Sequence, residues 1–497
     1  MNITRYRMAG VLALAALGAG TAVLAPVRAN ANKASSQSTV QAISARDKQL
    51  GAQAHPELLA EFGGAMTGAQ ARYVEGVGKG IAVQSGLSNA RDDFTVTLLN
   101  SSVNNAFAVP GGYVYVTRQL VALMNNEAEL AGVLGHEVGH VAARHAKRRQ
   151  SAATQNALLG VLGQVLLGAT LGNSAIGQIG QKVVSQGSQM LTLRFSRSQE
   201  IEADNLGIAY LRNAGYDARA MATVLQSLAS QNALDARLMG STDRVPEWAS
   251  THPDPASRVR AALTRAGSAS TGKLDADRFL SGIDGLTYGD DPRQGIVDGR
   301  KFTHPELRLA FEAPSGFFLV NGTRAVTIQG QSGRGEFTTA AYSGDLDAYV
   351  RSAFATLTGK GQPTVAPQSV TRTTINGLSA AWGGARVQTQ SGQVDVVVYA
   401  YEFARDQAFH FMTISQAGSS GTFAPMFNSV RRITVAEAGD VRPRKLAVVT
   451  VRTGDTVQSL AARMAYTDAP LERFLVLNGL RSDSRLAAGS KVKLITY

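Results

Sequence analysis

The spacing of apolar and polar positions divides the chain into segments of different kind. An unbroken apolar or small-residue run from Met8 to Pro26 opens it, preceded by Arg5 and Arg7 and followed by Arg28 and Ala29-Asn30-Ala31. A basic start, a short apolar stretch and an A-x-A site predict a signal peptide over residues 1–31, removed on export. Glu57 to Val83 and Glu127 to Arg149 carry apolar residues at helical spacing. Between them Phe94–Leu99 and Ala106–Thr117 read as two strands joined by a turn. Residues 157–184 are apolar but interrupted by Gly160, Gly163, Gln164, Gly168 and Gly172. They predict a buried helix or lid, with peripheral membrane contact left open.

Beyond residue 265 the pattern changes. Residues 266–300 are rich in Gly, Asp and Ser and read as a linker. In 301–438 short alternating runs (Val370–Ile375, Gln393–Tyr401, His410–Ile414) surround one helical stretch, Leu346–Thr358, which predicts an α+β domain. No titratable cluster stands out there. The tail, 446–497, reads as strand, helix, helix, strand. The expected fold is therefore multidomain: a mainly α domain with a small β-sheet over 32–265, then the α+β domain, then a small βααβ unit.

Composition narrows the chemistry. The 497 residues suffice for about three domains. There is no Cys, so disulfides, thiolate metal sites and thiol nucleophiles are excluded, and a metal must be held by His, Asp or Glu. A mean hydropathy of −0.05 argues against a polytopic membrane protein. The formal charge is +12, and losing 1–31 takes three Arg and no acid, leaving +9. The densest basic stretch, Arg144–Arg149, is short, and nothing in it points to nucleic acid. A Cys-free exported chain fits a bacterial periplasm.

The candidate chemistry lies between residues 105 and 258. Leu134-Gly-His-Glu-Val-Gly-His-Val-Ala places His136 and His140 four apart on a helix, so both imidazoles reach one ion from one face. Glu137 stands where a general base for a metal-activated water is needed. Gly139 costs about 1 kcal/mol relative to Ala, which a close approach of strand or substrate would explain. A catalytic zinc takes a third protein ligand and leaves a fourth position open. Glu200 and Asp204 are four apart on a second predicted helix, on the face shared with Ala203, Gly207, Tyr210 and Leu211. Two carboxylates on a packed face need a cation between them. Glu200 is the candidate third ligand, and Asp204 the acceptor that orients a ligand His. The bland alternative is an exposed acidic helix paired with Arg194, Arg197 and Arg212. His145, five residues beyond His140, is turned about 140° away and reads as structural.

HExxH followed after some sixty residues by Glu-x-x-Ala-Asp resembles the zinc metallopeptidase family that includes CAAX prenyl endopeptidase, HtpX and BepA. Asn105-Ala-Phe-Ala with Pro110-Gly-Gly, Ser196-Arg197 before Glu200, and Thr251-His-Pro-Asp-Pro-Ala-Ser-Arg258 belong to the same resemblance, which spans 45–265. It implies a zincin-type peptidase domain with one Zn²⁺ per chain, held by His136, His140 and Glu200, with Glu137 as base and Asp204 behind the ligands. It also implies that His252 is a fourth, latency-imposing ligand. Arg258 and Asn105 are candidate donors to the transition state. The export signal is similar to that of the soluble, periplasmic BepA-like branch, but the TPR repeats of that branch are absent after residue 265. Thr453-Gly-Asp-Thr, Leu477-Asn-Gly-Leu and Gly489-Ser-Lys-Val in the tail resemble a LysM domain, which implies binding of N-acetylglucosamine polymers such as peptidoglycan, with a protein-docking role for the same fold left open. Together these predict an exported endopeptidase for unfolded or misassembled envelope proteins, tethered near the wall. The rival is an envelope chaperone or glycan-binding scaffold with a latent metal site.

Overall fold

The computed structural model describes residues 40–152, 195–238, 252, 254–269, 271–357, 365–389 and 392–497. The expected signal peptide (1–31) and the apolar stretch 157–184 lie outside them.

Helix α1 (Ala45–Glu61) starts from a capping box at Ser44, and α2 (Ala69–Ala82) follows after a break at Gly63, Gly64 and Gly68, all at positive φ. The single helical stretch expected over 57–83 is thus two helices, because those glycines turn the chain. Three short strands come next: β1 (Thr95–Leu99), β2 (Ala106–Val109) and β3 (Tyr113–Thr117). Pro110-Gly-Gly splits the expected second strand into a hairpin, with Gly111 and Gly112 at positive φ. β1 pairs parallel with β3, so the order is β1-β3-β2 and β2 is an edge. Helices α3 (Arg118–Leu123), α4 (Glu127–Ala142) and α5 (His145–Ala152) follow. α4 is buried along nearly its whole length, between α2, the sheet, α6 (Arg197–Asn213) and α7 (Ala220–Leu238). Helix α8 (Pro255–Ala266) packs on α6 and α7.

α4 carries three glycines where Ala would make a better helix. A Cβ at Gly139 would sit 3.2 Å from the Ala203 carbonyl oxygen and 3.3 Å from Leu206 Cβ. One at Gly135 would sit 3.5 Å from Gly207 Cα. The close approach that Gly139 serves is therefore by α6, not by a strand or a substrate. Small residues on both helices bring the HExxH segment and the acidic segment together.

The stretch 266–300, expected as a linker, contains helix α9 (Ala276–Ile283) and strands β4 (Thr287–Tyr288) and β5 (Ile296–Asp298). Phe279, Leu280, Ile283 and Leu286 are buried in the same apolar core as α4, which is why this stretch is ordered. β5 joins β6 (Lys301–His304), β7 (Leu309–Glu312) and β15 (Arg431–Arg432) in a four-stranded sheet. β8 (Phe317–Asn321), β9 (Val326–Gly330), β10 (Gly333–Thr339) and β11–β14 (Val370–Ile375, Leu378–Thr389, Gly392–Ala404, Gln407–Gln416) form a seven-stranded antiparallel sheet. Its faces alternate with period two along β13. Val397, Tyr399, Tyr401 and Phe403 join the core that includes Phe302 and Phe311 of the smaller sheet. Val394, Val396, Val398 and Ala400 pack with helix α10 (Leu346–Ala355). Helices α11 (Ala424–Ser429) and α12 (Val435–Gly439) complete this part.

The tail is β16 (Arg444–Thr450), α13 (Val457–Ala461), α14 (Pro470–Asn478) and β17 (Lys491–Thr496), the expected strand-helix-helix-strand order. It was expected as a separate unit. Instead β4 adds to its sheet in the order β17-β16-β4, and Leu446, Leu460, Phe474 and Leu494 continue the core that surrounds α4.

Candidate metal centre

α4 presents His136 and His140 on its face toward α6, and α6 answers with Glu200 and Asp204. All four are buried, as are Glu137 and His252. His136, His140, Glu200 and His252 each offer one ligand atom, and these atoms lie within 4.8 Å of one another. His136 Nε2 is 2.9 Å from His140 Nε2, 3.3 Å from His252 Nδ1 and 3.5 Å from Glu200 Oε2. His140 Nε2 is 3.5 Å from Glu200 Oε1, and His252 Nδ1 is 3.1 Å from the same oxygen. A tetrahedron of N and O ligands at zinc distances has edges of about 3.3 Å, so these donors already stand at metal-site spacing.

The surrounding hydrogen bonds decide which nitrogen faces the cluster. His136 Nδ1 lies 2.9 Å from Asp204 Oδ1, to which its N–H donates. His145 Nε2 lies 3.2 Å from Glu202 Oε2, and His145 Nδ1 lies 2.8 Å from His140 Nδ1. Burial lowers the His145 pKa, which keeps that ring neutral. A neutral His145 that donates to Glu202 accepts from His140 Nδ1–H. Both Nε2 lone pairs then face each other 2.9 Å apart, an arrangement that needs a cation between them. The donor set thus fits a bound metal ion.

Arg258 supplies the fixed positive charge behind the cluster. Asp254 caps α8 by accepting from the Ser257 N–H, and Pro255 occupies the first turn, which sends Arg258 inward one turn later. Its Nε and a terminal nitrogen donate to the two Asp204 oxygens at 2.8 and 2.6 Å, and its other terminal nitrogen to Glu200 Oε2. Burial alone would raise the Glu200 and Asp204 pKa values. The opposing pull of His252, His136 and Arg258 on Glu200, and of Arg258 and His136 on Asp204, leaves both below the ordinary carboxylate range. The bland alternative, an exposed acidic helix, does not hold: Glu200 and Asp204 are buried, and Arg258 is the cation that bonds to both.

Glu137 lies beside this cluster. Burial pushes its carboxyl above the usual range, with His252 and His136 acting against that shift and Glu200 with it. Among the described residues its Oε1 has no hydrogen-bond partner, and it stands 3.5 Å from His252 Nε2. Asn105 is buried just before β2, with its backbone N–H on Thr117 Oγ1 and its carbonyl accepting from the Thr117 N–H.

Sequence reasoning missed the support behind His140. The 140° offset of His145 assumes an unbroken helix, but α4 ends at Ala142 and Arg144 takes φ 54°, which swings His145 back. Phe195 stacks on His140 with ring centroids 3.9 Å apart. The adjacency of Glu202 to Arg148, 2.8 Å away, was equally hidden. Nothing along the chain marked the helix end, since Ala143 and Arg144 are both good helix formers.

Residues 68–266 match peptidase family M48, and residues 449–494 match the LysM domain. The chain is 35% identical over 198 residues to the β-barrel assembly-enhancing protease of Yersinia pestis, covering 39% of this chain and 38% of that protein. To the protein of the same name from Escherichia coli (strain K12) it is 34% identical over 190 residues, 38% of this chain and 37% of that one. It is 34% identical over 165 residues to the mitochondrial metalloendopeptidase OMA1 of Arabidopsis thaliana, 33% of this chain and 30% of that one. The chain thus spans under two fifths of the length of these relatives. It carries a peptidase family M48 domain followed by a LysM domain.

Proposed function

We propose that the M48 domain is a zinc-dependent endopeptidase acting in the periplasm on unfolded or misassembled envelope proteins. The observation that carries this reading is the pair of inward-facing Nε2 lone pairs on His136 and His140, closed by Glu200, with the buried Glu137 carboxylate beside them. A scaffold with a vestigial metal site has no use for that buried carboxylate.

In this reading His136, His140 and Glu200 hold the metal, which supplies the Lewis acidity that acidifies a water and polarises a peptide carbonyl. Glu137 takes a proton from the attacking water and passes it to the leaving nitrogen, a role suited by a carboxyl raised by burial. Asp204 fixes the His136 tautomer, His145 fixes that of His140, and Arg258 holds Glu200 and Asp204 in register. β2 is the sheet edge packed against α4, and among the described residues no strand pairs with its outer side. An extended polypeptide adding there binds through its backbone, with little sequence preference. His252 stands in the fourth position and faces Glu137, which supports a latent resting state in which a loop histidine must leave before substrate enters.

The name of the β-barrel assembly-enhancing relatives supports an envelope substrate. The LysM domain supports attachment to peptidoglycan, and its loops at Arg452–Gly454 and Arg481–Asp483 are exposed. Among the described residues no helix is long and apolar enough to cross a membrane.

The deciding experiment is casein cleavage by the wild-type chain, Glu137→Gln and His252→Ala, with zinc content measured on each. Cleavage by wild type or His252→Ala, abolished by Glu137→Gln at equal zinc, supports the endopeptidase. Zinc bound without cleavage in all three returns the protein to the scaffold reading.

A further inference from the structure

We propose that Lys493 of the LysM domain is a positioning residue for the active-site helix, so that the LysM domain is a working part of the peptidase and not a module on a leash. The inference rests on the peptidase reading above.

Lys493 lies on β17, 1% exposed, and its ammonium enters the peptidase core. It donates to the Ala122 carbonyl at 2.8 Å and to the Met124 carbonyl. These carbonyls lie at the C-terminal end of α3, where a cation completes unsatisfied acceptors and meets the negative end of the helix. The peptide unit that carries the Met124 carbonyl also carries the Asn125 N–H. That N–H donates to Glu129 Oε2 at 2.7 Å. One peptide group in the α3–α4 turn is therefore gripped at both ends by buried titratable side chains, the Lys493 amine pushed down to about 7 by burial and the Glu129 carboxyl pushed up.

Glu129 is itself part of α4. It lies in the first turn, whose cap is Asn126, and its other oxygen accepts from Thr223 Oγ1 of α7 at 2.7 Å. Glu129 and His136 are seven residues apart, two turns along one face and about 10 Å along the axis. α4 is buried on every side, so a displaced first turn cannot be absorbed by solvent and passes down the helix to the ligand histidines. Without Lys493, the buried Glu129 carboxyl loses the pull of that amine and two carbonyls lose their donor, a costly combination.

The rest of the contact surface fits a fixed attachment. Asn478, at the end of α14, ties its side chain to Lys493 on both its N–H and its carbonyl, and α14 packs on α7 and α3. The apolar core runs without interruption from α4 into the LysM helices. The exposed LysM loops remain available to a glycan in this docked state.

The test compares Lys493→Met, Glu129→Gln, their double variant and the exposed-strand control Lys445→Met. It reads casein kcat and KM, zinc release to a chelator, and amide exchange over residues 124–130. Lys493→Met should lower kcat about tenfold with KM within about twofold, and speed both zinc release and exchange over 124–130. Glu129→Gln in the Lys493→Met background should recover part of each loss, because it removes the carboxyl left without that amine. Wild-type kcat, zinc release and exchange in Lys493→Met overturn the proposal. So does a loss that Glu129→Gln does not relieve and that spreads over the whole domain. If Lys493→Met does not accumulate, Glu129→Gln alone decides, since it leaves the LysM core intact: exchange quickened over 124–130 supports the proposal and unchanged exchange overturns it. If neither wild type nor His252→Ala cleaves casein, the peptidase reading fails, while zinc release and amide exchange still decide the role of Lys493.

Discussion

Gly207→Ala tests the claim that the metal centre is set by how closely two helices approach. An added Cβ would lie 2.6 Å from Met221 Cε, 3.1 Å from the His136 backbone nitrogen and 3.4 Å from the Gly135 carbonyl carbon. The methionine tip can swing away. The α4 backbone cannot, being packed on all sides, so α6 must move off by about 0.3–0.5 Å to reach ordinary contact. α6 also carries Asp204 and Glu200, the latter two turns from Gly207 on the same face. A shift of that size meets the ~0.5 Å tolerance of a catalytic constellation, and a misplacement of about 1 Å costs about 10²-fold. The expected loss in turnover is therefore about tenfold, or about 1.4 kcal/mol. Stability responds differently. Ala gains about 1 kcal/mol in helix propensity and overpacking costs about 1–3 kcal/mol, so the net loss is about 0–2 kcal/mol. The assay is casein turnover, zinc affinity by chelator competition and urea unfolding, beside Gly76→Ala, whose Cβ would meet nothing within 4 Å. Gly76→Ala should gain stability with unchanged turnover. Wild-type turnover and zinc affinity in Gly207→Ala, with the full propensity gain, would refute the reasoning.

Three further outcomes are expected. His252→Ala should raise casein turnover while zinc stays bound through His136, His140 and Glu200; an unchanged rate removes His252 from the path. Arg258→Met leaves Glu200 and Asp204 buried without their cation and should cost the metal-free protein about 3–5 kcal/mol in urea unfolding; a loss under about 1 kcal/mol would show that the pair is neutralised otherwise. Burial pushes Asp235 on α7 up to about 6 from 3.8. The native state then holds the extra proton between those values, and stability falls as pH rises through them and stays reduced above. Asp235→Asn, which keeps an acceptor for Gln231 Nε2, should therefore gain up to about 3 kcal/mol at pH 8 and less at pH 5; an equal gain at both would assign the effect to packing.

Much of the site could be read along the chain because its geometry is local. His136 and His140 share a face by helical arithmetic, as do Glu200 and Asp204, and a buried acidic face asks for a cation wherever it is. The strand-helix-helix-strand tail and the period-two alternation of β13 were legible for the same reason: one element, one period. What the sequence could not supply were the meetings between distant segments. Arg258 lies 54 residues beyond Asp204, and no periodicity says that it, and not Arg197 or Arg212, closes the charge balance. His145 returns to His140 only because Arg144 takes a left-handed conformation that breaks the helix. Gly139 announced a close approach, yet only the packing identified α6 as what approaches. Lys493 in an exposed-looking alternating strand gave no sign that it would be buried 371 residues away against Ala122. Local periods determine which residues share a face. Which faces meet depends on filling one core from segments far apart in sequence, and that was decided only by the fold.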